Sequence, residues 1–270
     1  MPHPAFAPGS IAIITGAALG IGRAMAHRFA AIGMRVALLD QDEAHLAAAA
    51  AGLGPNALAL NCDVSDPESL RAAASEIARL WPEPAAVLVN NAVTRTGRGF
   101  DAPLEEWRRA VDVNLFGVIR GVRTFLPAMR PPGLIINLGS KQGITNPPGH
   151  PVYNLTKAAL KSYTEGLEHE LRQTEGPRIS AHLLVPGWTT TGTAAHQPGA
   201  WMPDQVVDYM LAKLEAGAFY IICPDDEVTE KMDRARILWS AGDITEDRVA
   251  LSRWHPEGRA AFEAAQNRKD

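Results

Sequence analysis

Apolar residues along the chain gather in short continuous runs, at 11–15, 34–40, 57–64, 86–90, 134–138, 179–185 and 218–223. Within a run, apolar positions follow one another instead of alternating with polar ones, so each is predicted as a strand buried on both faces. The stretches between them carry apolar residues three and four apart, which predicts helices over 21–32, 42–51, 67–80, 104–129, 152–173 and 203–216. Strand and helix alternate, the pattern of an α/β chain. The expected fold is a Rossmann-like, doubly wound three-layer sandwich around a mostly parallel sheet of about seven strands. Gly33 is placed to stop the first helix, and Ser65-Asp66-Pro67-Glu68 has the Ser-x-x-Glu spacing of a capping box with proline in the first turn. The alternation ends after Pro224, and a polar stretch punctuated by tryptophan follows. The expected organisation is a flexible N-terminus over 1–9, one domain over 10–224 with a lid at 188–203, and a helical or irregular C-terminal extension over 225–270.

Composition narrows the partners. A formal charge of −4 and a pI near 6.1 supply no field for polyanions, so neither nucleic acid nor an anionic membrane is expected. No apolar run approaches the ~20 residues of a membrane span, and the first residues lack the basic and apolar regions of a secretory signal, so a soluble cytoplasmic protein is expected. Cys62 and Cys223, the only cysteines, each belong to an apolar run and are read as buried thiols, not as a disulfide or a metal site.

The first chemistry-bearing segment is Thr15-Gly16-Ala17-Ala18-Leu19-Gly20-Ile21-Gly22, between the first strand and the first helix. Glycines at these spacings permit a tight turn, close approach of backbone to a pyrophosphate, and close packing of helix on strand. The helix N-terminus adds free N–H groups and the positive end of its dipole. Asp40 ends the next strand, where a carboxylate accepts both ribose hydroxyls of an adenosine and repels a 2′-phosphate. Neither Leu19 nor Gln41 is basic, so NAD is expected in preference to NADP.

A second segment, at 152–161, carries Tyr153 and Lys157 one helical turn apart. A tyrosine with an ordinary pKa near ~10 serves as a base at neutral pH only if its phenolate is favoured, which a neighbouring ammonium achieves electrostatically. On a helical wheel Leu160, Tyr163, Leu167 and Leu171 form one apolar stripe, with Tyr153 in line and Lys157 at its edge, so the pair is expected to face the sheet. The alternative is an incidental pair, tyrosine packing and lysine snorkelling.

Together these segments resemble the short-chain dehydrogenases/reductases over roughly residues 10–191. Thr15 to Gly22 is similar to that family's Thr-Gly-x-x-x-Gly-x-Gly turn, Asp63-Val64 to the pair holding the adenine ring, and Asn90-Asn91-Ala92-Val93 to its Asn-Asn-Ala-Gly strand end, with Val93 in place of glycine. The resemblance implies a catalytic set of Asn114, Ser140, Tyr153 and Lys157: Ser140 holds the substrate oxygen beside Tyr153, and Asn114 holds a water in a proton relay past Lys157. It implies that Gly16, Leu19, Gly20, Ile21, Gly22, Asp40, Asp63, Val64, Asn90, Ala92, Tyr153, Lys157, Pro186, Gly187, Thr189 and Thr191 contact the cofactor. It further implies a homodimer or homotetramer built on the helices at 104–129 and 152–173. The family's usual glycine-rich C-terminal ending is absent. Lys141 and His150 are read as exposed loop residues, with contact to a polar substrate as the alternative, and Trp188, Trp201, Trp239 and Trp254 as walls of a pocket or as tail packing.

The leading expectation is an NAD-dependent enzyme that interconverts a secondary alcohol and a carbonyl. Two rivals use the same features. One is an epimerase or dehydratase with the same Tyr-Lys pair, for which 192–270 is a small substrate region; the other is a dinucleotide-binding sensor or scaffold, which needs no intact proton-transfer set.

Overall fold

The computed structural model describes residues 3–94 and 96–267. Among them, seven strands form one sheet: β1 (Ile11–Thr15), β2 (Arg35–Asp40), β3 (Ala57–Asn61), β4 (Ala85–Asn90), β5 (Met129–Leu138), β6 (Ile179–Val185) and β7 (Tyr220–Ile222). Their order is β3-β2-β1-β4-β5-β6-β7, and every ladder is parallel. The chain winds outward from β1 to β3, returns to lay β4 beside β1, and winds outward again to β7. That reversal opens a crevice at the carboxyl ends of β1 and β4.

Helices α1 (Gly20–Ile32), α2 (Glu43–Ala51) and α8 (Pro203–Glu215) cover one face, and α3 (Pro67–Leu80), α5 (Gly117–Phe125) and α7 (Pro151–Leu171) the other. The continuous apolar strands follow directly, since both faces need cover. In β1, Ala12 and Ile14 join the core with Met25, Phe29 and Met210, while Ile11 and Ile13 join Leu70, Ile77 and Phe125. Each large side chain so buried stabilises the fold by roughly 2–3 kcal/mol.

The predicted helix over 104–129 is instead α4 (Leu104–Val111), a π-helical turn at Asp112–Phe116, then α5, and the chain turns at Leu126–Ala128 into β5. Pro127 ends the helix there, and Met129 opens a strand. Helix α3 is capped by Asp66, whose side chain accepts from Glu68 N at 2.9 Å; the Ser65 hydroxyl donates to Asp63 Oδ1 at 2.7 Å, so the expected capping box on Ser65 is replaced by a simple cap on Asp66. Cys62 and Val64 lie just beyond β3. Of the stretch expected to be flexible, residues 1 and 2 lie outside the described residues. In the rest, Phe6 is buried against Phe29, ring centroids 5.3 Å apart, and Gly9 N donates to Gly33 O at 2.8 Å, while Pro4 and 7–9 are exposed. After β7 come α9 (Glu230–Thr245) and α10 (Pro256–Asn267), joined by Trp239 against Phe262 at 5.3 Å. Among the described residues no helix is long and apolar enough to cross a membrane, and no cluster of three His, Cys, Asp or Glu side chains suits a metal ion. Cys62 and Cys223 are free and buried.

Candidate active site

A cavity of about 870 Å³ opens at the carboxyl edge of the sheet, over the crevice between β1 and β4. Its floor is the glycine turn. Gly16 sits at φ +64°, and a Cβ there would lie 2.7 Å from Ala92 Cα, so only glycine lets the turn cross the end of β4. Asn91 locks the crossing: its Nδ2 donates to Thr15 O at 3.0 Å and Gly16 O at 2.6 Å, while Asn91 N and Ala92 N donate to Thr15 Oγ1. Leu19, in extended conformation ahead of α1, offers no side-chain cap, which leaves the first N–H groups of α1 for a ligand. Leu19, Gly20 and Ile21 line the cavity.

Asp40 closes one end. Its Oδ2 accepts from Ala18 N at 3.0 Å and its Oδ1 from Asp42 N at 3.1 Å, so the carboxylate is fixed toward the turn and keeps lone pairs free for hydroxyl donors. Asp63 and Val64 wall the same end. A backbone phosphate cradle in the middle and a fixed carboxylate at one end fit a nicotinamide dinucleotide.

The opposite end holds Ser140, Tyr153 and Lys157. Ser140 follows β5 across Gly139, whose N donates to Leu184 O at 2.7 Å. Tyr153 and Lys157 stand on the first turns of α7, which begins with Pro151; Asn154 ties the proline-rich approach by donating to Asn146 Oδ1 at 2.9 Å and Pro147 O at 2.7 Å. Lys157 is buried, and its Nζ donates to Leu138 O at 2.7 Å. Burial pulls its pKa down to about 8. Burial pushes the Tyr153 phenol up, and the Ser140 hydroxyl bonded to it offsets part of that rise. Both groups are desolvated, and the ammonium lies 5.6 Å from the Tyr153 ring with its Nζ turned to a carbonyl.

Three expected residues stand outside the cavity wall. Gly22 packs α1 on the turn, where a Cβ would lie 2.3 Å from Gly16 O. Asn90 is buried beneath the site, donating to Asn137 Oδ1 at 2.8 Å, and Asn137 donates on to Thr164 Oγ1 at 3.1 Å, which links β4, β5 and α7. Asn114, fully buried in the π turn, accepts from Thr94 N at 2.8 Å and donates to Thr94 O at 3.3 Å. It fixes the loop after β4 and has no direct bond to Lys157. Ala92, Pro186, Gly187, Thr189 and Thr191 do line the cavity, although the Thr189 hydroxyl is used on Gly187 O at 3.1 Å. Arg95 lies outside the described residues.

The inward face of α7 also differs from the helical-wheel reading. Its buried line is Lys157, Leu160, Thr164 and Glu168, with Tyr163, Leu167 and Leu171 only partly buried on the flank. The polar members are each satisfied: Thr164 Oγ1 donates to Leu160 O at 2.7 Å, and Glu168 accepts from Ala181 N at 2.7 Å and pairs with Arg172 and Arg178. Lys157 is thus at the centre of the face, not its edge.

Lys141 is not an exposed loop residue. Its Nζ lies 2.7 Å from Asp233 Oδ2 and 3.5 Å from Asp225 Oδ2, both aspartates being buried. Those partners come from the C-terminal extension, some 84 and more residues away, and no local pattern announces them. His150 and Trp188 line the cavity. Trp201 instead meets Tyr209 edge to face, ring centroids 5.8 Å apart, Trp239 packs within the tail, and Trp254 is exposed.

Residues 10–199 match the short chain dehydrogenase family. Galactitol 2-dehydrogenase (L-tagatose-forming) of Cereibacter sphaeroides is 35% identical over 189 residues, covering 68% of this chain and 72% of that protein. The 3-oxoacyl-[acyl-carrier-protein] reductase FabG of Escherichia coli is 33% identical over 186 residues, covering 68% and 75%. Among solved structures, a short chain dehydrogenase/reductase from Burkholderia phymatum in complex with NAD superposes with a TM-score of 0.79 at 27% identity, covering 89% of this chain and 96% of that one. An alcohol dehydrogenase from Thermococcus sibiricus complexed with 5-hydroxy-NADP gives 0.69 at 25%, covering 76% and 90%. With its parallel seven-stranded sheet, its dinucleotide cavity and these relatives, the chain belongs to the short-chain dehydrogenase/reductase family of oxidoreductases.

Proposed function

We propose that this protein interconverts a secondary alcohol and a ketone or aldehyde with NAD(H), using Tyr153 as the general acid/base. The observation that carries the reading is the meeting of Ser140, Tyr153 and Lys157 at one end of a cavity whose other end is the glycine turn and Asp40. A dinucleotide held by the glycine turn and Asp40 would supply the hydride donor or acceptor for the substrate carbon. The chain's own groups then manage the oxygen. Ser140 donates a hydrogen bond to it, and the Tyr153 hydroxyl gives it a proton in reduction or takes one in oxidation. A phenol raised by burial is protonated at neutral pH, so it is ready as the acid; the Lys157 ammonium supplies the positive charge that favours the phenolate when the proton leaves. A galactitol dehydrogenase and an oxoacyl reductase among the relatives support chemistry at a carbon bearing oxygen.

The preference for NAD rests on Asp40, whose fixed carboxylate would repel a 2′-phosphate, and on its neighbours Leu19, Gln41, Cys62 and Asp63 in the cavity wall, none of them basic. The exposed apolar side chains Leu104 and Phe116, on α4 and the π turn, and Leu155 on α7 support self-association into a homo-oligomer.

One experiment tests the whole reading: purified protein screened against diverse secondary alcohols and ketones by nicotinamide absorbance, with NAD and NADP side by side. The wild type is expected to turn over with NAD in preference. Tyr153→Phe should lose at least ~10²-fold in turnover while binding dinucleotide near normally, and Asp40→Ala should weaken NAD and admit NADP. Retained turnover in Tyr153→Phe, or a wild type that prefers NADP, would sink the corresponding half.

A further inference from the structure

The segment that follows β7 touches two parts of the active site at once. Asp225 Oδ2 accepts from Trp188 N at 2.9 Å, in the strand end that carries Pro186 and Gly187. The same oxygen faces Lys141 Nζ at 3.5 Å, beside Ser140. Asp225 Oδ1 is held by Glu227 N at 3.1 Å and Val228 N at 2.7 Å, so the carboxylate is fixed within its own turn. Gly187 makes the approach possible, since a Cβ there would lie 2.7 Å from Asp225 Oδ2 and from Pro224 O. Asp233, one turn into α9, completes the clamp on Lys141 at 2.7 Å.

The same turn also grips the far foot of the lid. Asp226 N donates to Gly199 O at 3.2 Å, and Trp201 Nε1 donates to Asp226 Oδ1 at 3.0 Å. The two feet are laced to each other: Trp201 N donates to Trp188 O at 2.9 Å and Thr190 N to Trp201 O at 2.9 Å. Between the feet, 192–198 is exposed. The extension therefore reaches Ser140 through Lys141 and both lid feet through Asp225 and Asp226.

We propose that Lys141, Asp225 and Asp233 are positioning residues that lock the Ser140 loop and the lid feet to the C-terminal extension, so that the extension is part of the catalytic apparatus. Lys141 lines the cavity, but its ammonium is turned to the two carboxylates of the extension. The pairing fixes where Ser140 stands relative to Tyr153, and a half-buried ammonium shared by two buried carboxylates holds that geometry more firmly than a fully exposed pair would. This rests on the oxidoreductase reading for its kinetic consequences, but not for its structural ones.

The test uses the full-length protein and three variants, Lys141→Met, Lys141→Arg and Asp233→Asn, measured by hydrogen–deuterium exchange and by turnover. Lys141→Met and Asp233→Asn should speed exchange in 139–145 and 186–202 and leave 11–32 unchanged. Where turnover is measured, kcat for the substrate should fall about tenfold or more with dinucleotide affinity kept within a few-fold. Lys141→Arg, which keeps a cation for both carboxylates, should recover most of the loss. Should Lys141→Met not fold, Asp233→Asn together with Asp225→Asn carries the same comparison. Unchanged exchange in both segments overturns the coupling, and changed exchange with unaltered kcat overturns the positioning role. A wild type that binds no dinucleotide and turns over nothing removes the oxidoreductase reading, and the exchange data then decide the coupling by themselves.

Discussion

Lys157 carries an electrostatic penalty, a buried ammonium with one backbone acceptor. Its pKa of about 8 in the folded chain stands against an ordinary 10.5 when unfolded. Between those values the unfolded chain binds more protons, so this group lowers stability fully below pH 8 and the penalty is relieved as pH rises toward 10.5. From pH ~7.5 to ~9.5 the relief amounts to about 2 kcal/mol. Chemical denaturation of the wild type and Lys157→Met at both pH values should show the wild type gaining by that amount relative to the variant. A flat difference would mean that the ammonium is better solvated than its burial indicates. The spacing of Tyr153 and Lys157 carried only that i and i+4 share a helix face; the glycine turn, Asp40 and Ser140 were needed to read them as a working pair. What the spacing could not carry is which face is inward, since Thr164 and Glu168 look like surface residues until Asn137 and the β6 backbone arrive to satisfy them.

At the scale of elements, the short helix α6 (Gln142–Thr145) sets the distance between Ser140 and α7. Gly143 lies against the α7 backbone, where a Cβ would meet Lys157 C at 2.5 Å and Lys157 O at 2.6 Å. These are main-chain atoms and cannot swing aside. Gly143→Ala should therefore push α6 off α7, costing about 1–3 kcal/mol of stability and, because Gly143 N donates to Ser140 O at 3.0 Å, lowering turnover by up to ~10²-fold. Thermal unfolding and kcat measured together check this; a loss of stability with kcat intact would separate packing from catalysis. The strands were legible to within a few residues: burial on both faces leaves one kind of pattern in the inner strands, while β3 and β7, expected to be buried likewise, are edge strands left partly exposed. Two elements were not legible. The π turn at Asp112–Phe116 hides inside a helical pattern, since a single widened turn shifts the apolar stripe only slightly, and Met129 reads as a helix end although Pro127 has already turned the chain into β5.

Across the whole molecule, the parallel sheet sends all its carboxyl ends to one edge and all its amino ends to the other. Chemistry gathers at the first. At the second, Phe6 sits on Phe29 and Arg130 Nη2 donates to Ser10 Oγ at 2.7 Å, closing the base of the core. Fold class and the cofactor turn were legible because both are written in local patterns. The clamp between Lys141 and the C-terminal extension was not, because its partners are far apart in sequence and each, read singly, is an ordinary surface charge.

Five residues of β1, at ~3.3 Å each, hold the two edges about 16 Å apart, beyond the range over which substitutions usually couple. Phe6→Ala should cost about 3 kcal/mol and leave kcat unchanged, and paired with Gly143→Ala the two losses should add to within ~0.5 kcal/mol; a clear excess in the double variant would show the edges to be linked. The seating of Phe6 on Phe29 thus gives this protein a reserve of mutational tolerance. Robustness can be tuned at the base without retuning selectivity at the rim, so a lineage or an engineer could alter what the pocket accepts after first strengthening the far side.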